Sequence, residues 1–169
     1  MGCGKSSVGR RLSELLCCSF VDLDNVIEER EGRSIPEIFA TEGEATFRQM
    51  ELDALRTIIC HSDSQSDSKR HLVIALGGGT VMTPECAEII HENTLCIYLR
   101  ASVDTLVQNL SDEADGRPML KTESSLRQRI EELMSLRAAT YEKTAHIIVD
   151  TDGRSIDSIA DDIIRSGSL

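Results

Sequence analysis

Long apolar runs are absent from this 169-residue chain, which also contains no tryptophan and only 3% aromatic residues. Its longest apolar runs, residues 72–76 and 95–99, fall far short of the ~18 residues that a membrane-spanning helix requires. The amino terminus lacks the apolar stretch of a secretory signal peptide, because a glycine-lysine-serine cluster stands there instead. The sequence therefore predicts a protein without a membrane partner, located in the cytoplasm.

Positive charge is scarce, and the cysteines follow no recognisable spacing. The chain has 18 Lys and Arg against 29 Asp and Glu, a formal net charge of −11 and a pI of about 4.8. Nucleic-acid-binding domains usually present a basic face, so this balance argues against a nucleic-acid partner. The six cysteines show no C-x-x-C spacing, which argues against a zinc or redox site. Without a secretion signal, we interpret them as thiols in a reducing compartment.

Short apolar runs alternate with segments of helical periodicity along the chain. With 40% hydrophobic residues, the chain has enough apolar side chains for a packed core. Strands are predicted at residues 20–24, 72–76, 95–99 and 146–149. Strands that are apolar on both faces and alternate with helices indicate a parallel sheet covered on both sides. We therefore expect a single α/β domain over residues 1–169.

The chain opens on a phosphate-binding signature. Gly4, Lys5 and Ser6 match the end of the P-loop pattern G-x-x-x-x-G-K-[ST], and an amphipathic helical pattern follows directly. Glycines let backbone amides approach a phosphate, the lysine reaches the outer phosphates, and the serine hydroxyl binds Mg²⁺. We therefore predict an ATP site that comprises six residues: Gly2, Cys3, Gly4, Lys5, Ser6 and Ser7.

The first glycine of that pattern, and the strand that precedes a P-loop, would lie upstream of Met1. Such a strand is normally central to the sheet, so its loss would remove buried surface from the core. We expect about ten further residues ahead of Met1, apolar and β-prone and ending in a glycine.

Six short segments occur in the order and at the spacing found in one enzyme family. They read G-C-G-K-S-S-V-G-R-R-L, F-V-D-L-D, E-G-E-A-T-F-R-Q-M-E, A-L-G-G-G-T-V, G-R-P-M-L and L-R-A-A-T-Y. On these segments the chain resembles the shikimate kinases over nearly its whole length. The resemblance implies a three-layer α/β/α fold with a five-stranded parallel sheet, the P-loop NTPase fold of nucleoside-monophosphate kinases. It also implies a substrate-binding region at about residues 24–60 and a lid at about residues 111–122.

The implied activity is transfer of the ATP γ-phosphate to the 3-hydroxyl of shikimate, with Mg²⁺, on the pathway to chorismate and the aromatic amino acids. In the family, the acid that matches Asp22 supports the Mg²⁺ site together with Ser6. The acid that matches Asp24 holds the attacking hydroxyl and accepts its proton. An oxygen-rich site suits a hard cation, and a carboxylate beside a hydroxyl suits a general base. The alternative is that one of the two acids only caps a helix starting near Asn25.

Two arginines and a glycine turn would bind the acceptor. Arg48 and Arg137 would bind the carboxylate of shikimate, because a planar guanidinium matches a carboxylate with two parallel hydrogen bonds. Glu51 lies one helical turn after Arg48 and would orient it. The alternative for each arginine is a solvated helix face. Three consecutive glycines after a buried strand would lie against the shikimate ring: Gly77, Gly78 and Gly79.

A lid arginine would complete the catalytic set of Lys5, Asp24 and Arg117. When the lid closes, Arg117 would contact the transferring phosphoryl group and neutralise charge in the transition state. Relatives often carry a basic residue near the lid that stacks on adenine, but here the segment before Arg117 is acidic. Arg154 is therefore our candidate for the adenine contact.

Two other functions remain open at this point. Another small-metabolite P-loop kinase, acting on gluconate or on a nucleotide, would share the loop and the lid but lack the arginine pair. A non-catalytic ATP-binding regulator would bind ATP without transferring phosphate to an acceptor. We expect ATP and shikimate as small-molecule partners, and a monomer.

Overall fold

The computed structural model describes residues 2–63, 72–114, 123–167 and 169. The helices in these residues are α1 (Lys5–Leu15), α2 (Leu23–Glu31), α3 (Ile35–Asp63), α4 (Pro84–Asn93), α5 (Val103–Ala114), α6 (Glu123–Thr144) and α7 (Ile156–Gly167). α3 is kinked at Gly43, whose φ of 81° and ψ of 176° are not helical. The strands are β1 (Ser19–Asp22), β2 (Leu72–Ala75), β3 (Ile97–Arg100) and β4 (Ile147–Asp150). None of the described helices combines the length and the apolar content that crossing a membrane requires.

The four strands form two parallel pairs. β1 pairs with β2, with Asp22 opposite Ala75 at the carboxyl ends. β3 pairs with β4, with Arg100 opposite Asp150 at the carboxyl ends. The predicted alternation of parallel strands and helices is therefore confirmed, while the fifth strand stays a prediction. Because β1 and β2 end at the same edge, the residues that follow them lie side by side, which is where open α/β sheets bind ligands.

The first strand ends earlier than the sequence suggests. Residues 20–24 read as one strand, but β1 stops at Asp22 and α2 begins at Leu23. The reason is local, because the Asp22 carboxylate accepts a hydrogen bond from the amide of Asp24 at 3.2 Å and so caps α2. Asp24 therefore lies in the first turn of a helix, directly beyond the strand end.

Two apolar clusters hold the helices that carry the site. One joins α1, β4 and α7 through five buried residues: Val8, Leu12, Val149, Ile159 and Ile163. The other joins α2 and α3 through five more: Leu23, Ile27, Ile38, Phe47 and Ala54. Close packing also sets α1 on β1, since a Cβ added to Gly9 would lie 2.6 Å from the Phe20 ring. This packing fixes the amino terminus of α1 beside the end of β1.

A large cavity of about 510 Å³ lies between the two strand pairs. β2 lines it on one side with Val73 and Ile74, and β3 lines it on the other side with Ile97 and Leu99. Side chains of α1 and α7 complete its apolar wall. Within the described residues β2 pairs only with β1 and β3 only with β4, so one edge of each strand has no strand partner.

Candidate active site

The loop before α1 has the geometry of an anion site. Gly2 and Gly4 have φ values of 66° and 76°, a left-handed conformation that glycine adopts without strain. Gly4 is the N-cap of α1, and no side chain caps it within the described chain. The first amides of a helix have no partner inside the helix, so they point at the space before it. The side-chain amide of Asn109 holds this loop by donating to the Gly2 carbonyl at 2.6 Å.

A line of polar groups connects this loop to the end of β1. The Ser6 hydroxyl donates to Oδ2 of Asp22 at 2.8 Å, and Oδ1 of Asp22 accepts the amide of Asp24. Asp22 is thus the acid that caps the following helix, and its other carboxylate oxygen accepts a hydrogen bond from the P-loop serine, Ser6. A hydroxyl and a carboxylate oxygen at this spacing fit the donor set that Mg²⁺ prefers, with phosphate and water oxygens filling its remaining positions.

Asp24 is a partly buried carboxylate with an altered proton affinity. Burial raises the pKa of Asp24 above its ordinary value, and the nearby negative charges of Asp22 and Glu51 raise it further. The positive charge of Lys5 acts in the opposite direction and favours the ionised form. The Asp24 carboxylate therefore lies near Lys5 of the phosphate loop and near the two acids Asp22 and Glu51. This position suits a general base that must accept a proton.

Arg48 is held in one orientation by two carboxylates on its own helix. Its Nη1 donates to Glu51 at 2.6 Å, and its Nη2 donates to Glu44 at 2.8 Å. The side chain of Glu51 is only 1% exposed, whereas that of Glu44 is 67% exposed. Oε1 of Glu51 accepts a second bond, from the Thr80 hydroxyl at 2.5 Å. The hydrogen bond between Arg48 and Glu51 thus supports the predicted orienting role of Glu51. Thr80 is a second partner of Glu51 that the sequence alone does not reveal.

The glycine turn after β2 lies against both the acid and the arginine. A Cβ built on Gly77 would come within 2.9 Å of Oδ1 of Asp24, and one built on Gly79 would lie 2.7 Å from the guanidinium carbon of Arg48. Either added carbon would overlap with these polar side chains. A side chain at either position would therefore displace the Asp24 carboxylate or the Arg48 guanidinium from its present place.

Arg137 approaches the same turn from α6. Its Nη1 donates to the Gly78 carbonyl at 3.2 Å, so the two predicted arginines meet on neighbouring glycines. The hydroxyl of Tyr141 donates to the same carbonyl at 2.5 Å. Sequence reasoning did not single out Tyr141, although it closes the L-R-A-A-T-Y segment and follows Arg137 by one helical turn.

The other residues predicted for the nucleotide site are Cys3, Ser7, Arg154 and Arg117. Cys3 lies partly buried against Leu106 and Leu110 of α5, and Ser7 lies in the first turn of α1. Arg154 donates to Ser158 at 2.8 Å and to Asp162 at 2.5 Å, both of which lie on α7. Its contact with adenine stays a prediction. Arg117 lies outside the described residues, and its role also stays a prediction.

Comparison with known proteins gives a consistent result. A family model described as shikimate kinase matches residues 1–167. The shikimate kinase of Thermus thermophilus is 40% identical over 165 residues, which span 98% of this chain and 84% of that protein. The shikimate kinase of Chlorobium limicola is 38% identical over 171 residues, which span 98% of this chain and 81% of that protein.

Solved structures agree with the sequence comparison. The shikimate kinase from Acinetobacter baumannii, solved in complex with shikimate, has a TM-score of 0.83 and 32% identity, covering all of this chain (100%) and 90% of that chain. The shikimate kinase from Bacteroides thetaiotaomicron has a TM-score of 0.86 and 26% identity, covering 100% of this chain and 94% of that chain. The fold is thus the α/β fold of nucleoside-monophosphate kinases.

Proposed function

The chain belongs to the shikimate kinase family, and we propose that it transfers the γ-phosphate of ATP to the 3-hydroxyl of shikimate. The products are shikimate 3-phosphate and ADP. The observation that carries this proposal is the approach of two arginines and one carboxylate to a single glycine turn, beside a P-loop. Arg48, Arg137 and Asp24 together suit an acceptor that has one carboxylate and a reactive hydroxyl.

The nucleotide side of the reaction belongs to the P-loop. Lys5 and the first amides of α1 bind the β- and γ-phosphates, and the rest of the loop fixes the nucleotide: Gly2, Cys3, Gly4, Ser6 and Ser7. Ser6 and Asp22 hold the Mg²⁺ ion that accompanies ATP. When bound, this ion would neutralise charge on the phosphates. Arg154 contacts the adenine from the β4–α7 loop.

The acceptor side places the hydroxyl for attack. Arg48 and Arg137 bind the shikimate carboxylate, and Gly77, Gly78 and Gly79 support the ring. Asp24 accepts the proton of the 3-hydroxyl while the hydroxyl oxygen forms a bond to the γ-phosphorus. The bond between that phosphorus and the bridging oxygen breaks, and ADP leaves with the electron pair. Arg117 neutralises the charge that spreads over the transferring group.

A finer architecture also belongs to this proposal. The active enzyme is a monomeric single domain with a three-layer α/β/α arrangement, a substrate-binding region near residues 24–60 and a lid near residues 111–122. Its sheet has five parallel strands, with the fifth in the cavity between β2 and β3 and continuous with the P-loop. The cavity supports this placement, because β2 and β3 line it from opposite sides and Cys3 of the P-loop also contributes to its wall. We place the protein in the cytoplasm, where thiols such as Cys86 stay reduced.

The test is a comparison of acceptors. The purified protein is incubated with Mg-ATP and shikimate, gluconate or a nucleoside monophosphate, and ADP is measured with a coupled assay. We expect ADP release to depend on shikimate, and the phosphorylated product to be shikimate 3-phosphate by NMR. Preference for either other acceptor would refute the substrate assignment, and ATP binding without turnover on any acceptor would favour a regulator.

A further inference from the structure

One hydroxyl beside the acceptor site has no role in the reaction described above. Tyr141 lies on α6 one turn after Arg137, and its hydroxyl and the Arg137 guanidinium donate to the same carbonyl oxygen, that of Gly78. A carbonyl oxygen has two lone pairs, so both bonds form together. We propose that Tyr141 is a positioning residue, which fixes the Gly78 carbonyl and through it the orientation of Arg137 toward the acceptor carboxylate. The proposal rests on the proposed function, because it concerns the same acceptor.

The ring of Tyr141 is itself firmly placed, so its hydroxyl has a defined direction. It packs against the Tyr98 ring with centroids 5.2 Å apart, at an interplanar angle of 52°. It also contacts the apolar cluster that contains Leu52, Leu55 and Ile90. A phenylalanine would fill this space equally well. The hydroxyl is therefore the part of the side chain that packing does not explain.

The carbonyl of Gly78 needs such a restraint. Glycine has more backbone freedom than any other residue, and here three glycines are consecutive. Without a second donor, rotation of the peptide between Gly78 and Gly79 would move the carbonyl away from Nη1 of Arg137. Because Arg48 lies against Gly79, the same restraint also fixes the position of the Arg48 guanidinium relative to that of Arg137.

The test begins with Tyr141→Phe, which keeps the ring and removes only the hydroxyl. One net hydrogen bond is worth about 0.5–1.5 kcal/mol, so we expect the KM for shikimate to rise about 2- to 10-fold. The KM for ATP and kcat should stay unchanged, because the loss is in acceptor binding. Tyr98→Phe is the matched control and should alter neither KM. An equal rise in both KM values for Tyr141→Phe would contradict a role on the acceptor side.

A double-mutant cycle tests whether Tyr141 acts through Arg137. If it does, Tyr141→Phe should raise the shikimate KM much less in an Arg137→Lys background than in the wild-type background, since the bond to the carbonyl is already altered. The same fold-change in both backgrounds would overturn the proposal.

Glycine labelling supplies a readout that does not depend on activity. Gly77, Gly78 and Gly79 form the chain's only glycine–glycine peptide bonds, so doubly labelled glycine gives two carbonyl-to-amide NMR correlations. The Gly78 carbonyl signal should move in Tyr141→Phe and stay in place in Tyr98→Phe. An unmoved signal would overturn the inference even if the enzyme is active. If the wild-type chain leaves shikimate unphosphorylated, the proposed function fails, and this signal still decides whether Tyr141 holds the carbonyl.

Discussion

At the scale of single residues, Asp24 is the proposed general base. Its carboxylate lies within reach of the glycine turn, and it shares its surroundings with Asp22, Glu51 and Lys5. Burial and the two acids raise its pKa, which makes it a stronger base than an exposed carboxylate. Burial and the two acids also raise the free energy of the ionised form of Asp24. The effect on phosphate transfer and the effect on stability can be measured separately.

Asp24→Asn should abolish most phosphate transfer while leaving ATP binding intact. A positioned general base contributes about 10²- to 10⁴-fold to a rate, so kcat should fall by that order. Steady-state kinetics and calorimetric titration with Mg-ATP give the two numbers. Asp53→Asn is the control, because Asp53 is an exposed acid on α3 that bonds Gln49 at 3.0 Å. Unchanged turnover in Asp24→Asn would count against the assigned base.

The same substitution should stabilise the protein at neutral pH. Because the pKa of Asp24 is raised in the folded state, the folded protein binds this proton more readily than the unfolded chain does. Stability therefore falls as the pH rises from the ordinary carboxyl pKa of about 4 through the raised value, and the loss persists above it. Asn carries no such charge, so Asp24→Asn should melt about 2–4 °C higher at neutral pH. Thermal melts at a series of pH values check the sign, because the gain should vanish below about pH 4.

At the scale of elements, a buried acid joins α3 to the glycine turn. Glu51 is buried, and it accepts hydrogen bonds from Arg48 on α3 and from Thr80 beyond Gly79. A buried carboxylate needs such partners, because an unpaired charge in the interior is costly. The contact between Glu51 and Thr80 therefore fixes the distance between the helix that carries Arg48 and the turn that Arg48 covers.

Removing Glu51 should destabilise the fold and weaken acceptor binding together. Glu51→Ala leaves the buried Thr80 hydroxyl without its partner while Arg48 keeps Glu44, so the free energy of unfolding should fall by about 1–3 kcal/mol. Urea unfolding followed by circular dichroism measures this change, and the KM for shikimate should rise in parallel. Glu44→Gln removes the other partner of Arg48, which is exposed, and should cost at most about 1 kcal/mol. Equal losses of unfolding free energy in Glu51→Ala and Glu44→Gln would contradict the larger contribution expected from the buried carboxylate.

Local patterns in the sequence suffice to propose one half of the site. Gly4, Lys5 and Ser6 were identified from the sequence because a phosphate loop is built from adjacent residues. The other half depends on long-range contacts: Thr80 and Glu51 are 29 positions apart, and Tyr141 and Gly78 are 63 positions apart. No local propensity encodes such pairs, so the sequence indicates the arginines, the glycines and Glu51 but not Thr80 or Tyr141.

The strand boundary at Asp22 was misplaced for a related reason. Alternating apolar and acidic residues favour a strand through residue 24, yet the side chain of Asp22 caps the next helix by bonding the amide of Asp24. Competition between a strand ladder and a side-chain cap is decided by geometry beyond the period of the pattern.

At the scale of the whole molecule, the cavity between the strand pairs predicts the effect of a longer chain. A version with about five apolar, β-branched residues and a glycine-containing connection ahead of Met1 should fill this cavity as a parallel strand. We expect a higher melting temperature and tighter ATP binding, because the strand buries apolar surface and tethers the P-loop. An extension of equal length made of glycine and serine is the control. Identical melting and ATP affinity in the two extended proteins would exclude a strand in this cavity.

The two carboxylate oxygens of Asp22 have different partners. One accepts a hydrogen bond from Ser6 of the P-loop, and the other caps α2, whose first turn carries the proposed base Asp24. A substitution at position 22 is therefore expected to disturb the nucleotide side and the acceptor side of the proposed site together. Any replacement at position 22 that alters the contact with Ser6 therefore also alters the cap of α2.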